Sequence, residues 1–171
     1  MHDPPLFPYG QAMTTTASQR TESGSGGRPR LGSRLGAFAA VVAVSIALPL
    51  VFLREDGPSW FHLVFHLLGI TVCALGVLIL RGVRQATTSR TLRVMTWVST
   101  VAFVGWAVGH TGELVTVLTH GGPHADHELF EHPVHMFFAT IAVPSWMLTV
   151  LSSLVLLITA GVRAIIRAVR R

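Results

Sequence analysis

Four long apolar blocks constrain the fold of this chain more than any other feature. They cover approximately residues 35–53, 60–80, 94–118 and 134–161. Crossing roughly 30 Å of hydrocarbon at 1.5 Å per residue takes about 20 residues, so each block is long enough to span a bilayer. Only 12% of the residues are charged, about half the share in a typical soluble domain. The sequence therefore predicts an all-α integral membrane protein in which residues 34–171 form a bundle of four transmembrane helices.

Residues 1–33 differ sharply from the rest of the chain. They are rich in Thr, Ser, Gly and Pro and lack apolar periodicity, so they cannot bury enough surface to offset chain entropy. We predict a disordered cytoplasmic tail, with Met13 as an alternative start to Met1. The first apolar block resembles a signal peptide, but it is longer than the usual 7–15-residue apolar region and no A-x-A site follows it. We expect a retained helix.

The arginines predict the orientation of the four helices. The chain has 13 basic residues, all of them arginine. Twelve precede the first block, lie in the loop at 81–93 or follow the fourth block, and only Arg54 lies in the other two loops. By the positive-inside rule both termini and the 81–93 loop are cytoplasmic, and loops 54–59 and 119–133 face outward.

The same arginines bear on partners and source. They flank apolar blocks instead of forming the basic patch typical of nucleic-acid binding, so the expected partners are the lipid bilayer and not nucleic acid. The complete absence of lysine suggests a GC-rich bacterial genome, which favours a bacterial plasma membrane.

Histidines crowd the predicted outer half of the molecule. Only His2 lies in the tail. The other eight lie at the outer helix ends or in the outer loop: His62, His66, His110, His120, His124, His127, His132 and His135. Interfacial preference explains part of this bias, but it does not explain why the inner ends have none. For His62 alone an interfacial role is the better interpretation, and the loop histidines are consistent with a solvated loop.

The spacing on the second helix places two histidines toward the bundle. His62 and His66 are four residues apart and share a face, which continues through Gly69, Cys73 and Gly76. Small residues mark close approaches between membrane helices, so this face is expected to contact another helix. Cys73 is the single cysteine and is expected to be a small core residue, which leaves nitrogen and oxygen as the metal ligands.

The third and fourth helices repeat this pattern. Trp106, His110 and Glu113 share one face of the third helix, beside glycines that favour close packing. A similar face on the fourth helix contains Glu128, His132, His135, Ala139, Ala142, Trp146, Thr149 and Ser153. Two starts of the fourth helix remain open: Asp126 as the N-cap with Pro133 in the second turn, or His132 as the cap with Pro133 as the first helical residue.

We expect these side chains to converge on a transition-metal site near the outer face. Ionisable groups inside a bilayer are costly unless they are paired or bound, and imidazole with carboxylate suits Zn, Fe, Mn or Cu(II). The predicted ligands are His62, His66, His110, Glu113, His132 and His135, with Glu128, Glu131 and His127 as additional candidates. The set is larger than one tetrahedral ion needs, so two ions are an alternative.

The predicted function is metal binding, for handling the metal or for metal-dependent chemistry. One alternative is a b-type haem protein in which two histidines from different helices are axial ligands, His66 with His110 or with His135. Another is a non-enzymatic pH-sensing or assembly subunit, since clustered imidazoles titrate near neutrality. No nucleotide-binding loop, nucleophile elbow or His-Glu-x-x-His motif is present, so the sequence leaves enzymatic activity open.

Overall fold

The computed structural model describes residues 31–52, 59–121 and 132–170. These residues form four α-helices: α1 (Leu31–Phe52), α2 (Ser59–Ala86), α3 (Arg90–Thr116) and α4 (Pro133–Val169). A π-helical turn, Val117–Gly121, continues α3. The prediction of an all-α chain is confirmed for the described residues, and all four helices are long and apolar enough to cross a bilayer.

Consecutive helices run in opposite directions. Arg34 on α1 donates to the carbonyl of Gly82 near the end of α2. Arg163 near the end of α4 donates to the hydroxyl of Ser89, which caps the start of α3. The helices therefore run alternately up and down, and we call the end that carries these two arginines the arginine end. The opposite end, which carries the histidines, is the histidine end.

The helices form a ring in which α3 packs against α2 and α4, and α1 packs against α2 and α4. Aromatic side chains fill the middle of this bundle. Phe38 of α1 and Phe103 of α3 are completely buried with their ring centroids 6.2 Å apart, and Trp106 lies one turn closer to the histidine end. The Trp146 indole N–H donates to the Ser45 carbonyl across α4 and α1 at 2.9 Å.

The predicted small-residue faces lie at helix contacts. A Cβ added at Gly76 of α2 would come within 2.8 Å of the Phe103 ring, and Cys73 is 1% exposed. On α3, a Cβ at Gly109 would meet the backbone and side chain of Ala142 on α4. These glycines bring α3 close to both neighbours, as small residues do in membrane helices.

The helix ends differ from the predicted blocks mainly at the arginine end. α1 begins at Leu31, whereas the tail was predicted to continue to residue 33, and α2 and α4 extend to Ala86 and Val169. At the histidine end, α4 begins at Pro133 with His132 as its N-cap, which is the second of the two predicted starts. The predicted disorder of residues 1–30 lies outside the described residues.

Candidate metal centre

Three helices bring five ionisable side chains together near the histidine end. Residues from α2, α3 and α4 contribute to this set, which we call the His/Glu cluster: His62, His66, His110, Glu113 and His135. His66, His110, Glu113 and His135 are buried, and His62 is half-buried. Glu113 is the one carboxylate side chain within the described ranges, so the cluster contains the whole acidic complement of the described helices.

His66 lies at the centre of the cluster. Its Nδ1 is 2.9 Å from Nδ1 of His110. Its Nε2 is 2.9 Å from Nε2 of His62 and 3.2 Å from Oε2 of Glu113. Because the side chain is 0% exposed, its two ring nitrogens have protein groups, not solvent, as neighbours. The ring therefore links α2 to α3 through both of its edges.

Packing fixes the ring of His110. A Cβ added at Gly69 would overlap this ring, so glycine at that position gives the imidazole its space. Trp106 and Phe65 contact the ring, with centroid separations of 5.1 Å and 5.0 Å. The Nε2 atom is buried and lacks a hydrogen-bond partner in the described part of the chain. It is also the ring atom nearest to Gly69, so Nδ1 is the nitrogen that faces the cluster.

His135 approaches from the first turn of α4. Its ring centroid is 5.5 Å from that of His62, and the side chain is 5% exposed. Its position follows from the start of α4, since His132 caps the helix and Pro133 occupies the first turn. Pro is well suited to this position because its missing N–H has no helical acceptor there.

The ligand atoms fall into two groups with a spacing compatible with metal binding. One atom each from His66, His110 and Glu113 lie within 4.8 Å of one another, and so do atoms from His62, Glu113 and His135. Ligands of one zinc ion at about 2.0–2.2 Å can be at most about 4.4 Å apart. Small side-chain adjustments would therefore bring either group to bonding distance.

The remaining predicted ligands have different positions. His132 is not in either group. Its Nδ1 accepts from the Val134 N–H at 3.3 Å, so the ring takes part in capping α4. The additional candidates His127, Glu128 and Glu131 lie outside the described residues, as do the loop histidines His124 and, for its side chain, His120.

An apolar groove of about 800 Å³ is lined by α2, α3 and the first turns of α4. Its walls include Ile70, Val108 and Phe138, and none of the five cluster residues lines it. The candidate centre is thus a packed group of polar side chains separate from this groove.

Comparison with protein-family models, curated proteins and solved structures finds no match for this chain.

Proposed function

We propose that this chain is an integral membrane protein that binds transition-metal ions through the His/Glu cluster, for metal handling or metal-dependent chemistry. Zn, Fe, Mn and Cu(II) accept the nitrogen and oxygen ligands that the cluster offers. The observation that carries the proposal is the meeting of four imidazoles and one carboxylate from three helices, with His66 Nε2 only 3.2 Å from Glu113 Oε2.

The membrane setting rests on surfaces as well as on helix length. Large apolar side chains are exposed on every helix, for example Leu50 (73%), Leu78 (63%), Val101 (61%) and Ile158 (64%). So many exposed apolar side chains suit hydrocarbon and not water. The arginine distribution favours a bacterial plasma membrane with the arginine end in the cytoplasm, and hence a cluster near the outer face.

Burial supports a bound cation over an accidental group of polar residues. A carboxylate inside an apolar bundle is expensive unless a partner compensates it, and Glu113 is only 6% exposed. Neutral imidazoles supply dipoles but no net charge, whereas a divalent ion supplies the missing positive charge. Metal binding would satisfy the carboxylate and the imidazoles together.

A pH-sensing role is the second candidate, and the contacts between imidazoles favour it. The 2.9 Å separations of His66 from His62 and His110 are also hydrogen-bond distances. Protonating two neighbouring imidazoles would place like charges against each other. A metal-free cluster would therefore rearrange in acid, which links pH to helix packing.

The haem alternative with His66 and His110 as axial ligands fits the described geometry less well. A bis-histidine haem places its macrocycle between two imidazoles. In this bundle the His66 and His110 rings contact each other directly, with Nδ1 atoms 2.9 Å apart. A Soret band in the purified protein would favour haem, and its absence with stoichiometric metal would favour the His/Glu cluster.

The test of the proposed function is the metal content and melting temperature of protein purified in detergent without a polyhistidine tag. We expect at least one bound ion per chain. His66→Gln and Glu113→Ala should each reduce bound metal and lower the melting temperature, because a ligand of the folded state stabilises it by about 2.7 kcal/mol at 100 times its Kd. The fall in melting temperature of the double variant should be far smaller than the sum of the two single falls, since ligands of one centre act together.

Thr149→Val is the matched control. Thr149 is also fully buried in the bundle, and its hydroxyl has no hydrogen-bond partner among the described groups, so this change should leave metal content unaltered. If wild-type protein reloaded with Zn²⁺ retains no metal, the proposal is wrong. In that case Glu113→Ala should stabilise the protein, because it removes an uncompensated buried carboxylate.

A further inference from the structure

The two groups of ligand atoms share a single residue. Glu113 belongs to both, whereas His66 and His110 belong to one group and His62 and His135 to the other. A carboxylate has two oxygen atoms and can therefore contact two ions at once. Each group thus consists of two imidazoles and an oxygen of the same carboxylate.

The His66 ring lies between His62 of α2 and His110 of α3. The ring faces His110 with Nδ1, and it faces both His62 and Oε2 of Glu113 with Nε2. An ion bound at one nitrogen cannot also contact the other nitrogen of the same ring. His110 and His62 consequently lie on opposite sides of His66.

His110 cannot use its other nitrogen to bind an ion on the His62 side of His66. The His110 Nε2 atom is packed toward Gly69 of α2, where even one methyl group would overlap the ring. Its Nδ1 remains as the metal-binding atom, directed at His66. A single ion near His62 and His135 would therefore leave His110 without a bond to metal.

The number of ligands leads to the same result. Zinc in proteins is almost always bound by four ligands in structural sites and by three plus water in catalytic sites. The cluster offers five residues, too many for one tetrahedral ion. Two ions that share Glu113 use all five and give each ion three protein ligands.

We propose that the His/Glu cluster holds two metal ions bridged by the Glu113 carboxylate. His66 and His110 bind one ion through their Nδ1 atoms, and His62 and His135 bind the other. The Glu113 carboxylate, whose Oε2 contacts Nε2 of His66 in the described structure, turns so that one oxygen reaches each ion. This inference rests on the proposed metal-binding function and deepens it. Each ion keeps at least one open position, which a water molecule or another oxygen ligand would occupy, as in two-metal centres with ions about 3.5–4 Å apart.

The test counts ions and measures their coupling. Protein stripped with a chelator is reloaded with Zn²⁺ or Cu²⁺ and freed of unbound metal by gel filtration. We expect two ions per wild-type chain. His110→Ala and His135→Ala should each reduce the count to one, because each removes a ligand from a different group.

Electron paramagnetic resonance of the Cu²⁺ form tests the bridge. Two Cu²⁺ ions that share a carboxylate should show spin coupling, and His110→Ala or His135→Ala should convert the spectrum to that of an isolated ion. Glu113→Ala should abolish coupling and reduce the count below two. Thr149→Val, which leaves the cluster intact, should retain two coupled ions.

The outcomes separate this inference from the proposed function. One ion per wild-type chain would overturn the two-ion centre and leave metal binding standing. No bound ion would overturn both. Two uncoupled ions that persist in Glu113→Ala would show two independent sites and contradict the shared carboxylate.

Discussion

The carboxylate of Glu113 and the imidazole of His66 meet inside a bundle whose other described helices carry no acidic residue. Both residues could be predicted as functional candidates from the sequence, because ionisable groups within apolar blocks are rare without a purpose. The direction of the His66 ring could not be predicted from the sequence, since it depends on contacts with side chains of α3. For His132 the sequence left two starts of α4 open, and the structure has the one in which His132 caps the helix.

Gly69 is a residue whose importance becomes clear only in three dimensions. Its small size was predicted to serve helix packing, and the structure shows that it makes space for the ring of His110. Gly69→Ala should push this ring away from His66, lower bound metal and cost about 1–3 kcal/mol by overpacking. Metal analysis and thermal unfolding in detergent measure both effects.

Gly161→Ala is the control for this change, because a Cβ at Gly161 of α4 meets nothing within 4 Å. It should retain wild-type metal content and stability. Normal metal binding by Gly69→Ala would mean that the position of the His110 ring does not matter for the centre.

At the scale of the helices, the apolar blocks predicted the number and order of the elements. They did not predict the ends, because hydropathy marks the part of a helix suited to hydrocarbon and a helix continues beyond it. α4 contains 37 residues and is about 55 Å long, well over the roughly 30 Å of a hydrocarbon core. Its last turns carry Arg163 and Arg167, and Arg170 is its C-cap. A hydropathy pattern excludes these residues, although arginine is a good helix former.

The faces of the helices were easier to predict than their ends. A spacing of four and three residues places small side chains on one side of a helix whatever its exact start. The faces of Gly69, Cys73 and Gly76 on α2 and of Gly109 on α3 accordingly lie against neighbouring helices. Which neighbour each face contacts depends on the order of helices around the ring, and sequence spacing contains no information about that.

For the whole molecule, we expect the arginine end to be cytoplasmic, as the positive-inside rule predicts. Cysteine labelling in intact cells tests this, starting from a Cys73→Ala background that removes the buried native thiol. An impermeant reagent should label Gly122→Cys, and it should reach Thr88→Cys, at an exposed position beside α3, only after the membrane is permeabilised. Labelling of position 88 but not 122 in intact cells would reverse the orientation and place the cluster near the cytoplasm.

The most direct test of the central claim is X-ray absorption at the zinc edge of purified protein reloaded with Zn²⁺. The His/Glu cluster predicts nitrogen and oxygen scatterers at about 2.0–2.2 Å with the outer-shell pattern of imidazole. The imidazole signal should weaken in His66→Gln and remain unchanged in Thr149→Val. A first shell with sulfur at about 2.3 Å, or one of oxygen alone without imidazole, would contradict the account.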